Sequence, residues 1–357
     1  MAGRNTFQDL ARVAGVSSAT VSRIANKSAK VSAKVEKRVR DAAESLGVSL
    51  QRRKGENLIA FLLSNRSLTH PFHSQVLVSA EEYCAERGYN VLFFPSHYRI
   101  GAPAAQIHIP QILERTDLLS GFIVTGVNSE GLLQVLRELG LPFSVYGNTV
   151  QSSWNCSLYD RVWVDDITGA YEMTRYLHSL GHKSIWYLTN LKKNWFARRE
   201  DGYQRAMQEV NLPPLIEHVE SEDEHEVGFL ATKKFLRSNA SAQALFCGSD
   251  AICHGAYAAL RDSSCQVPQD ISVAGFNDTL EATVLHPPLT TVRAFPEHVG
   301  RTLAELVLSR INEPNREPQE RIIPTQVIRR QSCMLSVNGV DPGLKPVFVH
   351  SNDALQQ

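Results

Sequence analysis

The side chains best suited to covalent chemistry stand apart from one another in this sequence. Six cysteines, Cys84, Cys156, Cys247, Cys253, Cys265 and Cys333, make no CxxC pair and no Cys/His group, so their spacing writes neither a zinc site nor a disulfide framework. Buried free thiols are the expectation. His70 and His73 share the stretch HPFH but lack the acid and the spacing of a metal-binding helix. No GxxxxGK[ST], HExxH or GxSxG stretch occurs, and no nucleophile is paired with a base. The residues thus point to no cofactor and no metal, and an enzyme is the weaker of the function classes they allow.

Charge, by contrast, is concentrated. Lys and Arg total 37 and so do Asp and Glu, yet residues 1–56 hold 12 basic against 5 acidic residues, a balance of +7, and the remainder holds 25 against 32. A small basic head on a larger acidic body suits a phosphate backbone as partner, so nucleic acid is expected at the N-terminus.

Such a head needs elements to aim it, and the pattern supplies three. Thr6 can cap a helix with Asp9 in its first turn and with Phe7, Leu10, Ala11 and Ala14 on one face. Gly15 breaks that run, and Ser17 opens a second short helix, Ser18 to Ile24, whose inward side is Val21 and Ile24. Two short helices across a Gly-containing turn make a helix-turn-helix. A third helix follows from Ser32, with Val35, Val39, Ala42, Ala43 and Leu46 at helical spacing and Gly47 as its stop. The alternative is a helical cap on the larger domain.

Beyond the head, 357 residues exceed one ordinary core, and 43% hydrophobic with 21% charged residues excludes a disordered or fibrous chain. No apolar run approaches the roughly 20 residues that cross a bilayer, and no hydrophobic stretch stands behind Met1 to Thr6, so no membrane partner and a cytoplasmic address are expected. Strand-like runs at 58–63, 90–94, 121–125, 142–146, 184–188, 244–247 and 271–275 alternate with helix-like stretches at 72–87, 129–139, 167–180, 197–210, 227–237, 250–262 and 297–311. That alternation predicts an α/β fold with helices on both faces of parallel sheets, and the length predicts two such subdomains with a cleft between them.

The segment TFQDLARVAGVSSATVSRIANKSAKVSAKVEKRVRDAAESLG resembles the DNA-binding headpiece of the lactose-repressor (LacI/GalR) family, above all in its AGVSxxTVSR core. The likeness continues to about Gln331 through His70-Pro71-Phe72, Val164-Asp165-Asp166, Leu180-Gly181-His182, Gly275-Phe276-Asn277-Asp278 and Pro288-Leu289-Thr290-Thr291-Val292. It implies a three-helix headpiece at 1–48, a short basic linker at 49–57, a periplasmic-binding-protein-like core of two Rossmann-like sheets at 58–335, and a tail at 336–357. The N-subdomain would take about 58–160 plus 291–320 and the C-subdomain about 161–290 plus 321–335, with crossings near Ser157 to Val162, Thr290 and Arg321.

By the same resemblance, Ser18, Ala19 and Arg23 read base edges, and Arg23 alone can fork onto guanine O6 and N7. Ser17, Thr20, Ser22 and Asn26 fall on phosphates or serve as helix surface. The implied effector contacts are Phe72, Asn148, Arg198 or Arg199, Ser249 and Asn277, with Asp250 beside them. Trp154 and Trp195 could stack on a sugar or fill core volume. The implied function is a transcription regulator, most often a repressor, that binds a pseudo-palindromic double-stranded operator as a homodimer and answers to a small molecule, a carbohydrate before a nucleobase or phosphorylated metabolite. A small-molecule-binding protein of the same fold without operator binding is the alternative.

Three departures from the family stand out. Gly147 replaces the Asp common after the fourth strand, and Asn277 replaces the first Asp of the Gly-Phe-Asp-Asp run. The linker SLQRRKGEN lacks the family's Pro-Asn and Ala-Arg and contains Gly55, which disfavours helix by roughly 1 kcal/mol relative to Ala. Arg52, Arg53 and Lys54 are then expected to meet phosphate or a narrow minor groove, with Leu50 the one candidate wedge and the operator only weakly bent. The tail has no leucine heptads, so a dimer without a coiled-coil tetramerisation element is expected.

Overall fold

A computed structural model describes residues 7–17, 20–21, 24, 31–46, 57–151, 159–190, 194–238 and 242–336. The chain divides into two units, Met1–Asn57 and Leu58–Gln357, each with its own core.

In the first unit, helix α1 spans Phe7–Ala14 and α2 spans Ala33–Leu46. Thr20, Val21 and Ile24, the described residues of the expected middle helix, are helical. Leu10, Ala11, Ala14, Val21, Val39, Ala42 and Ala43 close a small core against Val16, Ile24 and Leu46, as the apolar spacing requires. Gly15 ends α1 at φ +61, a left-handed conformation that glycine adopts without a Cβ penalty. The last carbonyls of α1 then find a cation, because the Arg38 guanidinium donates to Ala14 O and, at 2.8 Å, to Gly15 O. Ser17 Oγ accepts the Thr20 amide at 3.2 Å, which is how a serine caps the start of a helix.

The second unit holds two six-stranded sheets. Strands β1 (Leu58–Ser64), β2 (Asn90–Ser96), β3 (Leu119–Gly126), β5 (Phe143–Tyr146), β7 (Asp160–Val164) and β13 (Glu320–Ile323) pair in the order β13-β7-β5-β3-β1-β2, all parallel. Strands β8 (Ile185–Thr189), β9 (Leu215–His218), β10 (Ala244–Cys247), β11 (Ser272–Asn277), β12 (Thr290–Arg293) and β14 (Gln326–Ile328) repeat the plan as β14-β12-β11-β10-β8-β9, with β14 antiparallel. Two short strands, β4 (Asn128–Ser129) and β6 (Val150–Gln151), pair with each other beside the first sheet. Central strands such as β1 are buried along nearly their whole length, which explains their unbroken apolar runs.

Both sheets reverse strand order, between β1 and β3 and between β8 and β10. In open α/β sheets ligands settle outside the carboxyl ends of the strands at that point. The helices that follow those ends are α3 (Pro71–Ala85) and α4 (Glu130–Glu138) in the first lobe. In the second they are α5 (Asp166–Ser179), α6 (Asn194–Glu209), α7 (Glu224–Arg237) and α8 (Asp250–Asp262). Helix α7 lies against α8 through glycines on each: a Cβ on Gly228 would collide with Ile252 O, and one on Gly255 with His225 O. That approach brings the first turn of α7 to the cap of α8. The last helices are the short α9 (Leu280–Val284) and α10 (Pro296–Asn312), which returns to pack on α3 in the first lobe.

The chain passes between lobes at 164–166, 293–296 and 323–326, a few residues later than the expected 157–162, 290 and 321. Strand β7 accounts for the first offset: Asp160 is buried and held by Arg310 and Arg316 of the first lobe, at 2.7 Å each. The runs that spacing alone left unassigned, β7, β9, β12, β13 and β14, are short and carry polar residues such as Glu217, His218, Thr290 and Arg321 within them.

Candidate ligand cleft and nucleic-acid interface

The carboxyl ends of the two sheets line a narrow cleft between the lobes. From the first lobe come Arg66, just after β1, then His70, Phe72 and His73 at the start of α3, and Tyr146 at the end of β5. From the second come Trp195 and Arg199 of α6, Glu224 of α7 and Asn277 at the end of β11.

Arg199 is the most constrained of these. Its Nε donates to Asp166 Oδ1 at 2.9 Å, Nη1 to Gly248 O at 2.6 Å and Nη2 to Asn277 Oδ1 at 3.0 Å. The guanidinium also lies 3.7 Å from the Phe276 ring centroid. Asp166 is wholly buried, so its charge is compensated by Arg199 and by the Asn148 amide. Asn277 is held at φ +116, a conformation that L residues rarely adopt and that turns the chain at the cleft wall.

Of the residues expected to meet an effector, Phe72, Arg199 and Asn277 line the cleft, and Asn148, Arg198, Ser249 and Asp250 stand behind or beside it. Asn148 is bound on both amide atoms, donating to Val164 O at 2.8 Å and accepting the Val164 amide at 2.7 Å, which pins the first crossing between lobes. Arg198 leans over Trp163 at 5.0 Å, with its Nε 3.9 Å from Asp166. Ser249 caps α8 through the Ile252 amide and donates to Glu224 Oε2 at 2.7 Å, so it fixes a wall residue. Asp250 is fully buried, accepts from Thr279 N, Thr279 Oγ1 and Thr291 Oγ1, and burial pushes its carboxyl up to about 7. Trp195 lies in the wall and under the Arg66 guanidinium at 4.9 Å. Trp154 lies outside the described residues.

Arg66, His73, Tyr146 and Glu224 were not singled out as contacts from the residues alone. In the sequence His73 stands out only through the HPFH spacing, which lacks the acid of a metal site. Its ring is 3% exposed, and burial, with His70 and Arg66 nearby, holds its pKa well below the usual histidine value. Among the described residues its Nδ1 has no hydrogen-bond partner. Gly147 also has a physical reason, since a Cβ there would come within 2.7 Å of the Trp163 indole, which fills the place of a side chain. No group of three or more His, Cys, Asp or Glu could hold a metal among the described residues, and no described helix is long and apolar enough to cross a membrane.

In the first unit, the hydroxyls of Ser17 and Thr20 lie 2.9 Å apart at the helix start. Ser18, Ala19, Ser22, Arg23, Asn26, Leu50, Arg52, Arg53 and Lys54 lie outside the described residues.

Two doubly wound lobes around a cleft with a fixed guanidinium, in a chain that begins with a capped helical unit, define a ligand-receiving regulator. The family profile of bacterial regulatory proteins of the lacI family matches residues 6–48, and that of the periplasmic binding protein-like domain matches 174–333. The ribose operon repressor of Haemophilus influenzae is 30% identical over 336 residues, covering 91% of this chain and 97% of its own. The HTH-type transcriptional repressor PurR of Histophilus somni is 28% identical, covering 91% and 98%. Among solved structures, the transcriptional regulator CelR in its cellobiose complex superposes with a TM-score of 0.67 at 25% identity, covering 92% of this chain and 99% of that one. The lac repressor dimer bound to operator and the anti-inducer ONPF shares the fold, with a TM-score of 0.66 at 22% identity and the same coverage. The chain belongs to the lacI family of bacterial regulatory proteins. It is a DNA-binding transcriptional repressor responsive to a small ligand.

Proposed function

We propose that this repressor binds a pseudo-palindromic operator as a homodimer and that a carbohydrate seated between the lobes sets its operator affinity. The observation that carries the ligand half is Arg199. Three fixed acceptors hold its guanidinium at the wall of an aromatic-lined chamber, where its remaining N–H groups can donate to ligand hydroxyl oxygens without reorganisation. The ribose operon repressor and the cellobiose complex support a sugar as the ligand class.

In this reading residues 1–48 form the headpiece, 49–57 the linker, 58–335 the core and 336–357 a tail. Ser18, Ala19 and Arg23 meet base edges, Ser17, Thr20, Ser22 and Asn26 the backbone, and Arg52, Arg53 and Lys54 phosphates. Phe72, Arg199 and Asn277 touch the effector, while Asn148, Arg198, Ser249 and Asp250 hold the wall that presents it. The protein acts in the cytoplasm and is assigned no catalytic step.

A mobility-shift assay on DNA upstream of its own gene, with and without a panel of sugars, tests both halves. Arg23→Ala should cost about 1–3 kcal/mol on the operator and less on random DNA. An equal loss on both would make Arg23 a phosphate contact. Sugar binding by a chain that never retards DNA would leave a receptor without an operator.

A further inference from the structure

The cleft continues outward into a second, wider chamber, which shares Arg66, His70, Glu224 and Asn277 with the inner one. The two differ in charge. In the inner chamber the cations are matched: Arg66 faces Glu224 at 3.5 Å and Arg199 faces Asp166 at 2.9 Å. His73 is neutral there because burial disfavours its charged form. Its Nδ1, in a ring 3% exposed within the chamber wall and without a partner among the described residues, asks for one hydrogen bond from a ligand.

The outer chamber adds Glu222, Asp223 and Glu281 to Glu224, and among the described residues its lining contains no lysine and no arginine beyond Arg66. Asp223 accepts the His225 and Glu226 amides as the cap of α7, which holds its carboxylate in place. Glu281 has a buried carboxylate oxygen, Oε2, with no hydrogen-bond partner among the described residues. A ligand reaching from the inner chamber into the outer one therefore leaves a neutral hydrogen-bonding environment for a net negative one.

Resting on the carbohydrate reading above, we propose that the effector is an amino sugar, or a short sugar with an amine on its outer unit, whose hydroxyls fill the inner chamber and whose ammonium faces Glu281 and Asp223. Phosphorylated and uronic sugars are excluded by the same field.

The test is calorimetry and thermal shift on the full chain with matched pairs: glucosamine and glucose, galactosamine and galactose, fully deacetylated chitobiose and cellobiose, with glucuronate and glucose 6-phosphate as anions. In at least one pair the amine is expected to bind about tenfold tighter at low salt, and the gap should narrow at high salt as the field is screened. Glu281→Gln should remove most of that gap, lowering the affinity of the amine several-fold more than that of its hydroxyl twin. Asp223→Asn, which keeps the helix cap, gives a second reading of the same field. A hydroxyl or anionic sugar binding as tightly as the amine, or a gap that survives both variants, would overturn the proposal while leaving the carbohydrate reading intact. Binding of none of these sugars would overturn the carbohydrate reading and this proposal with it.

Discussion

The two walls of the cleft are built on different principles. The second-lobe wall is wired: Arg199 reaches Asp166, Gly248 and Asn277, Ser249 reaches Glu224, and Asp250 reaches Thr279 and Thr291. The first-lobe wall is packed: Phe72 meets Tyr146 at 5.3 Å between ring centroids and the edge of His73 at 5.4 Å. A polar anchor fixed before the ligand arrives needs no ordering on binding. An aromatic face supplies area but no fixed direction. In the proposed function the sugar's polar groups would thus meet the second lobe and its apolar faces the first. Arg66 of the first lobe and Glu224 of the second face each other across the cleft at 3.5 Å.

The largest effect should come from cutting the wiring. Arg199→Ala leaves Asp166 buried with its main countercharge gone, so urea unfolding should report a loss of about 3–5 kcal/mol. A loss under about 1 kcal/mol would mean that water reaches Asp166 and that this wall is less fixed than its hydrogen bonds imply. On the packed wall a milder change should do less. Phe72→Leu keeps most of the volume, so it should cost about 1 kcal/mol of stability, with a comparable loss of sugar affinity in the same titration.

The contrast between walls bears on what could be read beforehand. Alternating apolar runs and helical periodicity located the central strands and helices because burial on both faces leaves an unbroken pattern, as in β1 and β10. Edge strands such as β9 and β13 mix Glu217 or Arg321 into four residues and leave no such trace. Phe72, Arg199 and Asn277 were reachable from the family likeness, and all three line the cleft. Glu224 was not, because it lies in a run of acids, Glu220 to Glu226, in which nothing local marks the one that Ser249 and Arg66 will hold. The likeness implies Asn148 as an effector contact and Asp250 beside the contacts, yet neither lines the cleft. That their polar atoms turn inward to Val164, Thr279 and Thr291 is a matter of packing, which no spacing records.

Asn277→Gly separates ligand from fold. It removes the acceptor for Arg199 Nη2 but relieves a positive φ, two effects of about 1 kcal/mol each and of opposite sign. Stability should therefore change little, while the sugar's effect on operator retention should largely disappear. A variant that keeps full sugar response would shift the anchor from the Arg199–Asn277 pair to Arg199 alone.

The smallest effect lies in the packed wall and depends on pH. The unfolded chain takes up a proton on His73 near 6.5, whereas the folded chain does so only well below that value, because the buried ring is disfavoured as a cation beside His70 and Arg66. The stability this neutral ring contributes is present above about pH 6.5 and is lost as pH falls toward the lowered folded value. Asp250 runs the other way: its folded carboxyl, raised from 3.8 to about 7, contributes stability that is full in acid and fades between about pH 4 and 7. The two slopes oppose each other between about pH 5 and 6.5. His73→Gln removes one slope and leaves the other, and its melting temperature should rise as pH is lowered from 6.5 to 5, relative to the parent over the same range. Parallel curves for parent and variant would mean that the folded His73 titrates near its ordinary value, and that water already reaches the ring the packed wall is said to enclose.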